Sequence, residues 1–183
     1  MWCVLLRLNH KTFSGAVLLT FLLLPAIQRA APSRIIFVSS QAVFIPKELN
    51  VETLGAPRLP NDDQHFLVYG QSKLAQLLFV RKLASVVEGK YLLFLVASLL
   101  LKYKAVICFF LTGSGVVVNA GDPGSVRTDI LRHYPLLTNP WLAVLSWPLR
   151  WLFFKSPLEG AQTVLHLALD PQLGKPPSGH FIR

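Results

Sequence analysis

The run Arg34-Ile35-Ile36-Phe37-Val38-Ser39-Ser40 constrains the fold more than any other part of the chain. Its β-branched and aromatic residues follow one another without polar alternation. That is the pattern of a strand covered on both faces, and such strands belong to parallel sheets flanked by helices. Arg34 to Ser39 therefore reads as a central parallel strand. Tyr69 to Val87 has helical periodicity, with Leu74, Leu77, Leu78, Arg81 and Leu83 spaced for one buried face and good helix formers throughout. Gly115 to Ala120 reads as the next strand, with Asp122-Pro123-Gly124 as the turn at its end. Ser156-Pro157-Leu158-Glu159 is a capping box with proline at the first helical position, opening a helix that runs to about Leu169. Gly179 to Ile182 is then a last strand. Strand and helix in alternation predict a doubly wound parallel α/β sheet, where ligands bind beyond the carboxyl ends of the strands. Ser40, Tyr69 and Pro123-Gly124 all fall at such ends.

At 183 residues the chain suffices for one domain with a real core and is short for two. With 52% hydrophobic and only 15% charged residues, and a positive mean hydropathy, it sits at the apolar edge of soluble proteins, which points to membrane contact or a damaged fold. The formal charge of +9 is carried by basic residues scattered singly, without a Lys/Arg run interleaved with aromatics. An anionic membrane surface or a phosphate-bearing cofactor accounts for that charge, and nucleic acid is not expected as a partner. Cys3 and Cys108, both in apolar surroundings, give no disulfide framework and no metal spacing, so a reducing environment is the default. His10, His65, His133, His166 and His180 show no ligand spacing, and no metal site is expected.

Three stretches stand apart. Met1 to about Ala31 places Arg7, His10 and Lys11 ahead of the apolar run Gly15 to Ala26, the pattern of a signal peptide. Tyr91 to Leu111 is apolar except for Ser98, Lys102 and Lys104; it has the length of a membrane span but holds two lysines, each costing about 2.5–3.5 kcal/mol at a bilayer centre. His133 to Phe154 carries Trp141, Trp147, Trp151, Phe153 and Phe154 with Arg150 and Lys155 alongside, which suits either a membrane interface or a lid over the substrate.

Tyr69 and Lys73 carry the chemistry. Residues i and i+4 share a helix face, so the Lys73 ammonium is expected to approach the Tyr69 phenol and favour its ionised form. A phenol that ordinarily loses its proton near pH ~10 would then serve as acid or base near neutrality. Ser40, delivered from the end of the preceding strand, would hold a substrate oxygen beside it, with Ser39 as its rival.

The text Tyr69-Gly70-Gln71-Ser72-Lys73-Leu74-Ala75, the upstream Ala31-Pro32-Ser33-Arg34-Ile35-Ile36-Phe37-Val38-Ser39-Ser40 and the downstream Asp122-Pro123-Gly124-Ser125-Val126-Arg127-Thr128 occur in one order. Together they resemble the short-chain dehydrogenase/reductase family, and within it the retinol-dehydrogenase-like, membrane-associated branch. The resemblance covers roughly residues 15 to 89 and 112 to 183. It implies an oxidoreductase that moves hydride between NADP or NAD and a lipophilic alcohol or carbonyl of retinoid or steroid type. Carried over by motif, Ser40 positions the substrate oxygen, Tyr69 exchanges the proton, and Lys73 lowers the tyrosine pKa while bonding the nicotinamide ribose. Pro123, Gly124 and Thr128 would contact the nicotinamide end of the cofactor. The resemblance also implies association with a membrane, the endoplasmic reticulum first, and makes the long loop Gln41 to Leu67 a border of the substrate pocket.

Several features depart from the family. In family members the residues matching Val17 to Pro25 form the second half of a core helix, a reading that competes with the signal peptide. The family asparagine that anchors a relay water corresponds to Asn9, with a spacing three residues too long. Family members pass from helix end to next strand in a few residues, so 90–111 reads as an insertion, with the membrane span as the second reading. No strand and Gly-rich turn for the pyrophosphate precede Ser40. The expectation is therefore one incomplete Rossmann-like domain over 1–183, a doubly wound sheet lacking its N-terminal cofactor-binding strands, with catalysis impaired. The rival expectation is a non-catalytic, membrane-associated or interaction protein that keeps the remnant of the fold.

Overall fold

The computed structural model describes residues 10–51, 65–88, 114–126 and 154–183. Three helices, α1 (Gly15–Arg29), α2 (His65–Val87) and α3 (Pro157–Leu169), accompany three strands, β1 (Ser33–Val38), β2 (Val116–Gly121) and β3 (Phe181–Ile182). A π-helical turn at His10–Ser14 leads into α1, and a 3-10 turn at Gln41–Phe44 follows β1. The sheet is parallel in the order β1-β2-β3, with Ser33 opposite Val116 and Val38 opposite Gly121. The fold is α/β, a partial Rossmann-like sheet.

The strand period of two divides the helices between the faces. Val116, Val118 and Ala120 of β2 join Phe37 of β1, Leu24 of α1 and Leu77, Val80, Leu83, Ala84 and Val87 of α2 in one core. Phe79 stacks edge-to-face on both Phe21 and Phe37 at 5.8 Å, tying α1, β1 and α2 together. On the other face, Leu167 of α3 is fully buried, with Cδ1 2.7 Å from where a Cβ on Gly121 would stand. Its carbonyl accepts a hydrogen bond from Arg34 Nη1 at 2.8 Å.

β2, buried throughout, is the central strand of this sheet. β1 corrects the expectation of a central strand covered on both sides. Among the described residues it pairs on one side only, Phe37 alone is buried, and Val38 is 47% exposed. The apolar run is real, but Arg34 bonds α3 and Phe37 is the strand's one buried residue in the core.

The buried face of α2 also differs from the expected one. Leu77 and Leu83 are inside, but Leu78 and Arg81 point outward, and the inner stripe runs Val68, Ser72, Gln76, Val80, Ala84 and Val87. Small and polar residues occupy that stripe where the helix lies against backbone, which hides it from a hydrophobic count. The helix begins at His65, four residues before the expected start, so Tyr69 is in its second turn.

α1 buries only Thr20 and Leu24 among its own residues and leaves Leu18, Leu19, Leu22 and Leu23 exposed. It packs on the core through Leu24 and Phe21, and its wet side is apolar. Thr12–Arg29 is also long and apolar enough to cross a membrane by length and composition. The helix runs on through Pro25 to Arg29. At α3, Ser156 and Glu159 form the expected reciprocal capping box with Pro157 in the first turn. The stretch 90–111 lies outside the described residues, as does most of His133 to Phe154.

Candidate active site

The carboxyl ends of the three strands meet at one corner. The ladder runs one step past the strands: Ser39 N donates to Gly121 O at 2.7 Å, and Asp122 N donates to Ile182 O at 2.8 Å. Ser40, in extended backbone, starts the 3-10 turn, and its hydroxyl accepts from Ala42 N at 3.3 Å. The Tyr69 phenol stands close enough to that hydroxyl for Ser40 to pull its pKa down. The capping role of Ser40 and its role beside tyrosine are thus compatible, and Ser39 is not the residue that reaches Tyr69. Ser39 is buried with a hydroxyl that has no hydrogen-bond partner.

Gly70 lets the two elements come this close. A Cβ there would stand 2.7 Å from Ala42 O and 2.9 Å from Pro46 Cδ, the turn that Ser40 begins. Backbone and a proline ring cannot yield as the end of a flexible side chain can. Gly70→Ala is expected to destabilise the protein by about 1–3 kcal/mol through overpacking and to part Tyr69 from Ser40. Urea unfolding measures the first effect; an unchanged midpoint would show that the helix can retreat freely. One residue on, Gln71 pins the loop beside the site, accepting from Asn50 N and donating to Glu48 O, both at 2.9 Å.

Lys73 is 8% exposed and ties α2 to the end of β1: Nζ donates to Val38 O at 2.8 Å and to Gln76 Oε1 at 3.3 Å. It lies 5.7 Å from the centroid of the Tyr69 ring, within cation–π range. The ammonium thus meets the ring and the strand-end carbonyl, yet the net shift of the phenol runs opposite to the one expected from the spacing. Burial pushes the Tyr69 phenol above its ordinary value; the Ser40 hydroxyl works against that rise and the Asp122 carboxylate adds to it. Burial pushes Lys73 below its ordinary value, and Asp122 opposes that fall. A phenol shifted in that direction keeps its proton at neutral pH.

Gly124 follows the turn with φ +77°, a left-handed conformation that suits glycine, and its N–H donates to Asp122 Oδ1 at 2.9 Å. Pro123 and Gly124 therefore stand at the end of β2 beside the Ser40–Tyr69 corner, while Thr128 and Asn9 lie outside the described residues. Asp122 and Gln71 escape a reading of the sequence alone. The signal for Asp122 is a carboxylate directly after a strand with no exposed position. His166 faces Asp170 at 3.6 Å at the end of α3, and among the described residues no group of three or more His, Cys, Asp or Glu could hold a metal. A groove lined by Pro32, Val87, Gly115, Pro176 and Pro177 opens at the amino ends of the strands, away from this corner.

Comparison with known proteins gives the arrangement a lineage. Retinol dehydrogenase 14 of Mus musculus is 38% identical over 167 residues, covering 90% of this chain and 40% of the relative. Dehydrogenase/reductase SDR family member 13 of Bos taurus is 36% identical over 179 residues, covering 97% and 38%. Retinol dehydrogenase 12 of Mus musculus is 35% identical over 173 residues, covering 94% and 43%. The chain thus spans about two fifths of the length of these curated relatives. Among solved structures, the TT0495 protein from Thermus thermophilus superposes with a TM-score of 0.56 at 20% identity, covering 96% of this chain and 56% of that one, a likeness of fold. No protein-family model matches the chain. With homologues of this kind aligned along nearly its whole length, the chain belongs to the short-chain dehydrogenase/reductase family, on its retinol-dehydrogenase-like branch.

Proposed function

We propose that the Ser40–Tyr69–Lys73 corner is the proton-handling site of an oxidoreductase acting on a lipophilic alcohol or carbonyl. The observation that carries this is the phenol of Tyr69, beside Ser40 and overlain by the Lys73 ammonium at the carboxyl ends of parallel strands. Ser40 orients the substrate oxygen and Tyr69 gives that oxygen its proton as a carbonyl is reduced. Lys73 has three donors, and Val38 and Gln76 take two, which leaves one N–H for a ribose hydroxyl. A nicotinamide cofactor, when bound, supplies the hydride. The orphaned buried oxygens of Ser39 and Asp122 and the left-handed turn at Gly124 fit its nicotinamide end. Lys73, Tyr69, Pro123 and Gly124, with Thr128, would hold that end. The relatives' name, retinol dehydrogenase, supports a retinoid-like substrate.

The test is a titration of the purified chain with NADPH and with NADH, followed by reduction of retinal at the highest cofactor concentration. Cofactor-dependent reduction is the expected result. No reduction at any cofactor concentration would overturn the catalytic reading. A second reading rests on the exposed leucines of α1: a non-catalytic protein held at a membrane, of the endoplasmic reticulum first. Resistance to carbonate extraction together with absent turnover would favour it.

A further inference from the structure

Asp122 is 1% exposed, and its two oxygens are treated differently. Oδ1 accepts from Gly124 N at 2.9 Å, whereas Oδ2 has no hydrogen-bond partner and is reached only by Arg183 Nε at 3.9 Å, an ion-pair distance too long for a hydrogen bond. Arg183 is itself 61% exposed and is shared with Gln41, whose oxygen, turned toward the guanidinium, accepts from Nη2 at 2.7 Å. A buried carboxylate with one bare oxygen and a half-engaged, solvated cation is not balanced.

The strand period supplies the other cation. Val116, Val118 and Ala120 face α2, so Asp122 continues on the same side, and Ser39, one step past Phe37 on its face, lies beside it. Lys73 enters this layer from α2 and is fastened to Val38, whose register partner Gly121 immediately precedes Asp122. The charged and titratable groups at this corner are Tyr69 and Lys73 from α2, Asp122 after β2, Arg183 after β3, and Lys155, whose Nζ lies 3.2 Å from a Cβ placed on Gly124.

We propose that Asp122 is a positioning residue of the Tyr69–Lys73 site, the buried counter-charge that keeps the Lys73 ammonium charged and fastened between α2 and the end of β1, with Arg183 dividing its influence from outside. An anion in this place makes the proton of each neighbour harder to remove, so it holds lysine as ammonium and tyrosine as phenol together. Such a site is biased toward giving a proton to a carbonyl oxygen. The proposal deepens the catalytic reading of Tyr69 and Lys73 and rests on it.

Its test needs neither cofactor nor turnover. In the full chain labelled with 13C at the lysine ε and tyrosine ζ carbons, the Lys73 and Tyr69 signals, assigned with Lys73→Arg and Tyr69→Phe, are followed against pH. Asp122→Asn keeps an oxygen for the Gly124 N–H and removes only the charge. Both titrations are expected to fall by about one pH unit in that variant. A purely structural role predicts no common direction, and titrations that stay in place or rise overturn the proposal. If Asp122→Asn does not fold, Arg183→Gln at low ionic strength decides. Loss of the outer cation strengthens the anion, so both titrations should rise by roughly 0.3 unit, and no rise overturns it. A chain inert with nicotinamide cofactors but showing these shifts would sink the catalytic reading alone. An active chain without them would sink this proposal alone.

Discussion

Tyr69→Phe is expected to lower carbonyl reduction by about 10²–10⁴-fold, or to the uncatalysed background where that is nearer. The ring stays and the Lys73 ammonium keeps its place over it, while the one proton the site can hand over is gone. Ser40 retains the bond from Ala42 N, so the turn at Gln41–Phe44 should persist. Far-ultraviolet circular dichroism should therefore match the parent while the rate collapses. A variant within threefold of the parent rate would remove Tyr69 from the chemistry. The pH profile follows from the same residue. Because burial holds the phenol protonated above its ordinary range, reduction should be level through neutral pH and fall only in strongly alkaline solution. Oxidation of the alcohol, which needs the phenolate, should be slow at neutral pH and rise with alkalinity. A reduction rate that falls between pH 6 and 8 would mean that the acid is another group.

Leu167→Ala carries the largest expected cost to stability, about 2–5 kcal/mol. Leu167 is wholly buried on α3, and its Cδ1 occupies the space that Gly121 leaves on the sheet. No side chain on Gly121 can fill the gap, so the cavity is expected to persist. Leu167→Met, which keeps the volume, should cost less than about 1.5 kcal/mol. Urea unfolding of the full chain checks both, and equal costs would show that α3 settles onto the sheet when the side chain shortens. The damage would reach the site, since Gly121 immediately precedes Asp122 and accepts from Ser39 N.

Local chemistry is legible in the chain. Ser156 to Glu159 need only four residues to announce the capping box, and Tyr69 and Lys73 need only their spacing to share a helix face. Ser40 is legible because the end of an apolar run is visible in text. The rest depends on distant partners. That Lys73 fastens to Val38, rather than to the phenol, is set by a contact across thirty-five positions. The rise in the Tyr69 pKa comes from burial, which spacing does not report. β1 reads as a buried strand because its residues are apolar, yet its exposure is decided by what packs on it. The inner stripe of α2 is hidden because Gly70, Ser72 and Gln76 are buried for closeness and hydrogen bonding, and a search for leucines passes over them.

Lys73 is both the cation at the tyrosine and the strap that closes α2 onto the end of β1. With two of its donors committed to the protein and only 8% of its surface exposed, it meets a reagent from bulk solvent only when the helix lifts from the strand. Chemistry on this amine is therefore paced by local breathing, at a tempo set by the packing of the core as much as by the amine's own reactivity.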